Sequence, residues 1–227
     1  MDLMQQFNNY CERLGPEFWA EPWNAVTNAS FIICAVIVMI AAVRAQKFDW
    51  PVGLLVALTA IIGVGSFLFH TFATGWALLA DVIPIQLFII AYFVLAMRRF
   101  AGLNWLFTIL ATAVFLGGSF VGGGMISEVV GDALNGSEGY IPPLTGLIIV
   151  GFILIAVGRT AAGWSLVAGA ALFFVSLAFR TFDMAVCEAF PTGIHFLWHS
   201  LNGVLLGYLT YAMARYGVPY GQAAASR

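Results

Sequence analysis

Charge is what this sequence has least of. Only 9% of its 227 residues are Asp, Glu, Lys or Arg, and 9 basic against 11 acidic side chains leave a formal net charge of −2. A chain with no basic surplus cannot neutralise a run of phosphates, so nucleic-acid binding has no electrostatic basis. Histidine and cysteine each occur three times. Cys11, Cys34 and Cys187 show no CxxC spacing, which excludes a thiolate metal site of the usual kind and allows at most one disulfide. The opening residues include Asp2, Glu12, Glu17 and Glu21 with no basic stretch ahead of an apolar one, so they do not read as a secretory signal peptide. Internal repeats and low-complexity linkers are also missing, which makes a single domain the simplest organisation.

Apolar side chains make up 62% of the sequence, and its mean hydropathy of +0.95 lies far outside the range of a water-soluble domain. A membrane-spanning helix needs about 20 mainly apolar residues. The sequence offers seven such runs, at 24–43, 52–70, 77–97, 103–121, 141–157, 164–179 and 194–214. The predicted fold is therefore all-α, an integral membrane bundle of seven transmembrane helices. An acidic N-terminal segment (1–23) precedes the helical domain (24–214), and a short tail (215–227) follows it. Pro84 falls inside the third helix, and the Gly122-Gly123-Gly124 run is expected to open the longest connection.

Seven spans put the termini on opposite sides, which sorts the basic residues into two groups. Arg13 and Arg180 fall on one side, while Arg44, Lys47, Arg98, Arg99, Arg159, Arg215 and Arg227 fall on the other. The positive-inside rule then puts the C-terminus in the cytoplasm and the N-terminus outside, in a periplasm or lumen. In that topology His70 ends the second helix at the outer face, and His195 and His199 begin the seventh at the same face. Asp81 joins them at that depth.

His195 and His199 are one turn apart on one stripe of a helix, about 40° apart around its axis, which is chelating spacing. A lone HxxxH pair would equally suit two histidines bonded to neighbouring helices. The third histidine at the same depth tips the reading towards a metal, since an ionisable group inside a membrane points to function. Three imidazoles and a water form the open coordination of a catalytic zinc. Ser66, one turn before His70, either faces the same cavity or bonds back to its own helix. Asp81 needs a cationic partner. No Lys or Arg is predicted at its depth, which leaves the metal or its water. Together these groups suggest hydrolysis of a lipid, with Asp81 moving the proton and Ser66 donating to the oxyanion.

Three stretches carry a resemblance to a known family: NYCERLGPEFWAEPWNAVTN (9–28), GSFLFHTFATGWALLAD (65–81) and GIHFLWHSLNG (193–203). The chain resembles the alkaline ceramidases and, more widely, the seven-helix zinc hydrolases related to the adiponectin and progestin receptors. The family's Ser, His, Asp and HxxxH pattern falls on Ser66, His70, Asp81, His195 and His199. The resemblance implies an amidase that cleaves ceramide or a similar amide lipid, with zinc held by the three histidines. It also implies a calcium-binding loop with ligands at Asn9, Glu12 and Glu21, although an ordinary acidic segment is the other reading of those residues. A disulfide between Cys11 and Cys187 is implied in the same way. A receptor-like protein and a lipid esterase using the same metal are the competing functions, and no obligate protein partner is implied. The charge count makes the topology testable: a C-terminal tag should resist protease added outside intact cells, and its digestion there would overturn the assignment.

Overall fold

Hydrocarbon offers a peptide group no hydrogen-bonding partner, so an apolar run long enough to cross it closes its bonds within itself as a helix. In the computed structural model, which describes residues 2–218, every long apolar run is helical. The helices are α1 (Pro22–Thr27), α2 (Ala29–Arg44), α3 (Trp50–Phe72), α4 (Gly75–Leu95), α5 (Trp105–Val130), α6 (Ile141–Ala156), α7 (Thr160–Thr181) and α8 (His195–Tyr216). A π-helical turn at Ala96–Phe100 extends α4. No strand occurs among the described residues, although Gln6 and Thr74 form an isolated bridge. Six segments are long and apolar enough to cross a membrane, from Pro22–Arg44 through Thr160–Thr181; α8 matches them in length but is less apolar.

The expected boundaries shift for local reasons. Asp49 and Asn104 accept hydrogen bonds from the amides of Val52 and Phe107, so α3 and α5 are capped a little outside or inside the apolar count. The first expected helix is split at Asn28 into α1 and α2. The glycine run at 122–124 does not open a loop, contrary to expectation. It lies within α5, which continues to Val130, because a helix in an apolar setting keeps its backbone bonds whatever the side chains. Helix α4 likewise continues through Pro84. Of the expected tail 215–227, residues 219–227, including Arg227, lie outside the described residues.

Each long helix packs against its neighbours in sequence, and α8 closes the ring on α2 and also touches α3. Two glycines permit the closest approaches: a methyl at Gly65 would land on the Ala80 carbonyl of α4, and one at Gly203 would land on Ser30 of α2. α5 is the outlying member, with Val114 and Phe120 among its exposed apolar side chains. Such bare apolar surface fits contact with lipid.

The N-terminal segment does not trail into solvent. Its backbone bonds to the α3–α4 turn, Phe7 N to Ala73 O at 2.8 Å and Gly75 N to Gln5 O at 3.1 Å. The Cys11–Cys187 disulfide, with Cα atoms 5.4 Å apart, ties it to the connection before α8. Cys34 remains a free thiol. The segment thus covers the end of the ring where α3 stops and α8 starts.

The packing contrast can be measured. Gly65→Ala should destabilise the protein by about 1–3 kcal/mol, as overpacking typically does. Gly117→Ala, where nothing lies within 4 Å, should be neutral or slightly stabilising. Thermal unfolding in detergent compares the two, and equal melting temperatures would refute the close α3–α4 contact.

Candidate metal centre

Helix geometry delivers the three histidines. His70 stands in the last turns of α3, while His195 and His199 occupy successive turns at the start of α8. Each side chain is about 1% exposed, so no ring is simply solvated. Their ligand nitrogens lie within 4.8 Å of one another, and the ring centroids are 4.5–5.3 Å apart. Neutral imidazoles this close can share one divalent cation, and among the described residues this is the group of His, Cys, Asp and Glu side chains so arranged.

The surroundings aim the rings. His70 Nδ1 lies 2.6 Å from Glu21 Oε2, and His199 Nδ1 lies 3.3 Å from Thr27 Oγ1. In each case the outer nitrogen is engaged and Nε2 is left to face the centre, the usual arrangement behind a ligating histidine. His195 is stacked on Tyr10, with centroids 3.8 Å apart. Its Nδ1 is buried without a hydrogen-bond partner, as is Asp81 Oδ1. A buried polar atom left unpaired is costly. Both atoms belong to residues that line one cavity, and their unused bonding capacity is what a cation and its water would take up, so the residues present fit a metal.

Three charged groups around this site were not apparent as site residues from sequence. Asp183 is buried, and its carboxylate accepts from the amides of Cys11 (2.9 Å), Ile194 (2.7 Å) and His195 (2.9 Å). It therefore caps the start of α8 and fixes the backbone of His195. Gly193, at φ +63°, makes the turn that lets the cap close. Arg13 is ion-paired with Glu21 and donates to the His70 carbonyl at 2.9 Å. The only sequence signal for Arg13 is a basic residue in an acidic stretch, and for Asp183 an acid shortly before HxxxH.

Arg180 is the third, and it corrects an expectation. A cation does lie beside Asp81: Arg180 lines the same cavity and interacts with that carboxylate through space, although the two are not within ion-pair distance. Helix α7 runs to Thr181, past the expected end at 179, and Arg180 in its last turn is part of the cavity wall.

The calcium candidates are placed differently from one another. Glu12 and Glu21 are buried, and Asn9 is exposed. Glu12 accepts from the Trp23 and Asn24 amides at 2.7 and 2.8 Å and so caps α1. Burial pushes its carboxyl above the usual range, against the pull of those amides. Burial acts upward on Glu21 too, but the bonds from His70, Asn24 and Arg13 outweigh it and hold its pKa low. The cation beside Glu21 is the Arg13 guanidinium.

Ser66 is buried, lies within hydrogen-bonding reach of Asp81 and, like it, lines the cavity. Asn202, on α8 just below His199, lines it as well and has a buried, unpartnered Nδ2. The cavity, about 130 Å³, is walled by all seven long helices. It reaches from His195 to the level of Leu209, roughly 21 Å along α8 at 1.5 Å per residue. Polar groups cluster at the histidine end, and the remainder is lined by apolar side chains together with Tyr92, whose hydroxyl is buried without a partner. Trp198, between the two α8 histidines, packs against Tyr140 and Phe173 and forms part of the wall.

No family model matches this chain, and no curated protein matches its sequence. The geometry therefore has to carry the functional argument. It makes a direct prediction about metal binding. His199→Ala should abolish stoichiometric metal, while Glu21→Gln should weaken binding by about 10–100-fold, as loss of a ligand's outer partner does. Chelator competition on purified protein measures both, and a Glu21→Gln protein as tight as wild type would remove Glu21 from the site.

Proposed function

We propose that the chain is an intramembrane zinc-dependent lipid amidase, which hydrolyses the N-acyl bond of ceramide or a similar long-chain amide lipid to a fatty acid and a long-chain base. One observation carries this reading: three buried imidazoles lie close enough to share a cation, and two of them, His195 and His199, line the same long, largely apolar cavity as Ser66 and Asp81. The resemblance of the three sequence motifs to the alkaline ceramidases points the same way. In this reading α8 is the seventh span, the N-terminal segment lies outside and the C-terminus is cytoplasmic.

Zinc suits a site of imidazoles with no thiolate or thioether. When bound by His70, His195 and His199 it would polarise a carbonyl and acidify a water. The remaining work falls to the protein's own groups. The unpartnered Asp81 Oδ1 would accept the water's proton and deliver it to the leaving nitrogen, so that the C–N bond breaks to give an acid and an amine. The Ser66 hydroxyl, beside Asp81, would donate to the carbonyl oxygen as charge develops on it. The apolar length of the cavity would hold the acyl chain and keep bulk water from the reacting bond. Calcium at Asn9, Glu12 and Glu21 is no part of this proposal, since Glu12 and Glu21 already have protein partners.

The same machinery would cleave an ester, so product identity decides between amide and ester substrates. Metal analysis of the purified protein, combined with mass spectrometry of products from a mixed lipid extract, is the test. Asp81→Asn should keep the metal and lose at least about 10²-fold in turnover, the lower range for a general acid–base group. Full activity of that variant, or of protein stripped of metal, would end the proposal.

A further inference from the structure

Arg180 is the one charged group at the cavity that the proposed hydrolysis does not use. Its Nη1 donates to Asn135 O and Ser137 Oγ, both at 2.8 Å, which braces the connection between α5 and α6. Its guanidinium carbon lies 5.3 Å from the Tyr140 ring and 5.9 Å from the Trp198 ring, and the Tyr10 phenol is within hydrogen-bonding reach of it. A guanidinium has five N–H donors, so the bonds to Asn135 and Ser137 and one to Tyr10 still leave donors to spare. No carboxylate among the described residues lies within ion-pair distance of it. A structural brace alone would not need a full charge at the wall of an apolar cavity, where an unpaired ion is costly.

The charge balance of the site points to what is missing. Of the Asp, Glu, Lys and Arg side chains, the cavity lining carries one carboxylate, Asp81, and one guanidinium, Arg180, so a dication on neutral imidazoles would leave the cavity wall itself net positive. The position of Arg180 narrows the choice of anion. It sits in the last turn of α7, at the histidine end, while the apolar part of the cavity runs the other way towards Leu209. With the acyl chain in the apolar part and the scissile carbonyl at the histidines, the leaving amine and its head group lie on the Arg180 side.

We propose that Arg180 selects amide lipids whose head group carries an anion, a carboxylate, sulfonate or phosphate close to the amide nitrogen. This inference rests on the amidase reading of the same cavity and narrows its substrates from ceramide, whose head group is neutral, to amide lipids with an anionic head group. A planar guanidinium fork is the side chain best matched to such groups.

A matched pair of lipids tests it: N-palmitoylglycine, which is anionic, and N-palmitoylethanolamine, which is neutral. Both binding, by displacement of a fluorescent fatty-chain ligand, and hydrolysis are measured on metal-loaded protein in detergent or nanodiscs. Wild type should favour the glycine conjugate by about ten- to hundred-fold, the range for a charge-assisted hydrogen bond. In Arg180→Gln that ratio should fall towards one at unchanged metal content, and Arg180→Lys should keep part of it. Equal binding of the two lipids by wild type overturns the inference without any variant, as does a ratio that survives in Arg180→Gln. Palmitate serves as a third ligand. If Arg180→Gln weakens palmitate but leaves the ratio intact, the arginine holds the product carboxylate and the head-group assignment is wrong. Should neither amide be cleaved, the binding ratio still decides the role of Arg180, while the amidase reading is decided separately by product analysis of a mixed lipid extract.

Discussion

The site depends on keeping buried imidazoles in fixed orientations at the end of an apolar bundle. An isolated polar ring in such a place is costly and free to rotate; one whose outer nitrogen is bonded is neither. Glu21 does this for His70 at 2.6 Å, and is itself held by Arg13. Thr27 lies against His199, and Asp183 fixes the backbone from which His195 projects. Two of these supports, Glu21 and Arg13, come from the N-terminal segment. The disulfide and the backbone bonds that fasten the segment over the bundle are thereby part of the site rather than an accessory to it.

The charged groups at this end divide into two arrangements. Arg13, Glu21 and the His70 ring form a closed chain in which each partner is satisfied. Asp81 and Arg180 face the cavity and are not paired with each other, and Asp81 keeps an unbonded oxygen. The closed chain suits a support, because moving any member would strand the others. The open pair suits groups that meet something arriving from outside the protein.

Distribution of polarity along the cavity follows from the same economy. Ser66, Asp81, Asn202 and two of the histidines lie at one end, and the walls beyond them are largely apolar. A ligand that fills it would carry its polar centre at one end of a long hydrocarbon, which is the general form of a membrane lipid. Close glycine contacts between α3 and α4 and between α8 and α2 set the spacing of the helices that carry His70, Asp81 and His199. A small change in that spacing would move the ligands apart before it unfolded the bundle.

By itself the sequence determined the helical class, most of the helix positions and the meeting of His70, His195 and His199, because hydropathy and one-turn spacing are local properties that survive in any bundle. It also singled out Ser66 and Asp81, and the resemblance indicated the Cys11–Cys187 link. It misjudged the glycine run in α5, where loss of side chains did not mean loss of helix. Only the tertiary structure decided how buried charges are partnered. Arg13 with Glu21 and Asp183 with the start of α8 are contacts between residues on different elements, and Arg180 comes to the same cavity as Asp81 without pairing with it. No periodicity encodes them, because they depend on which helix ends the ring closure brings together.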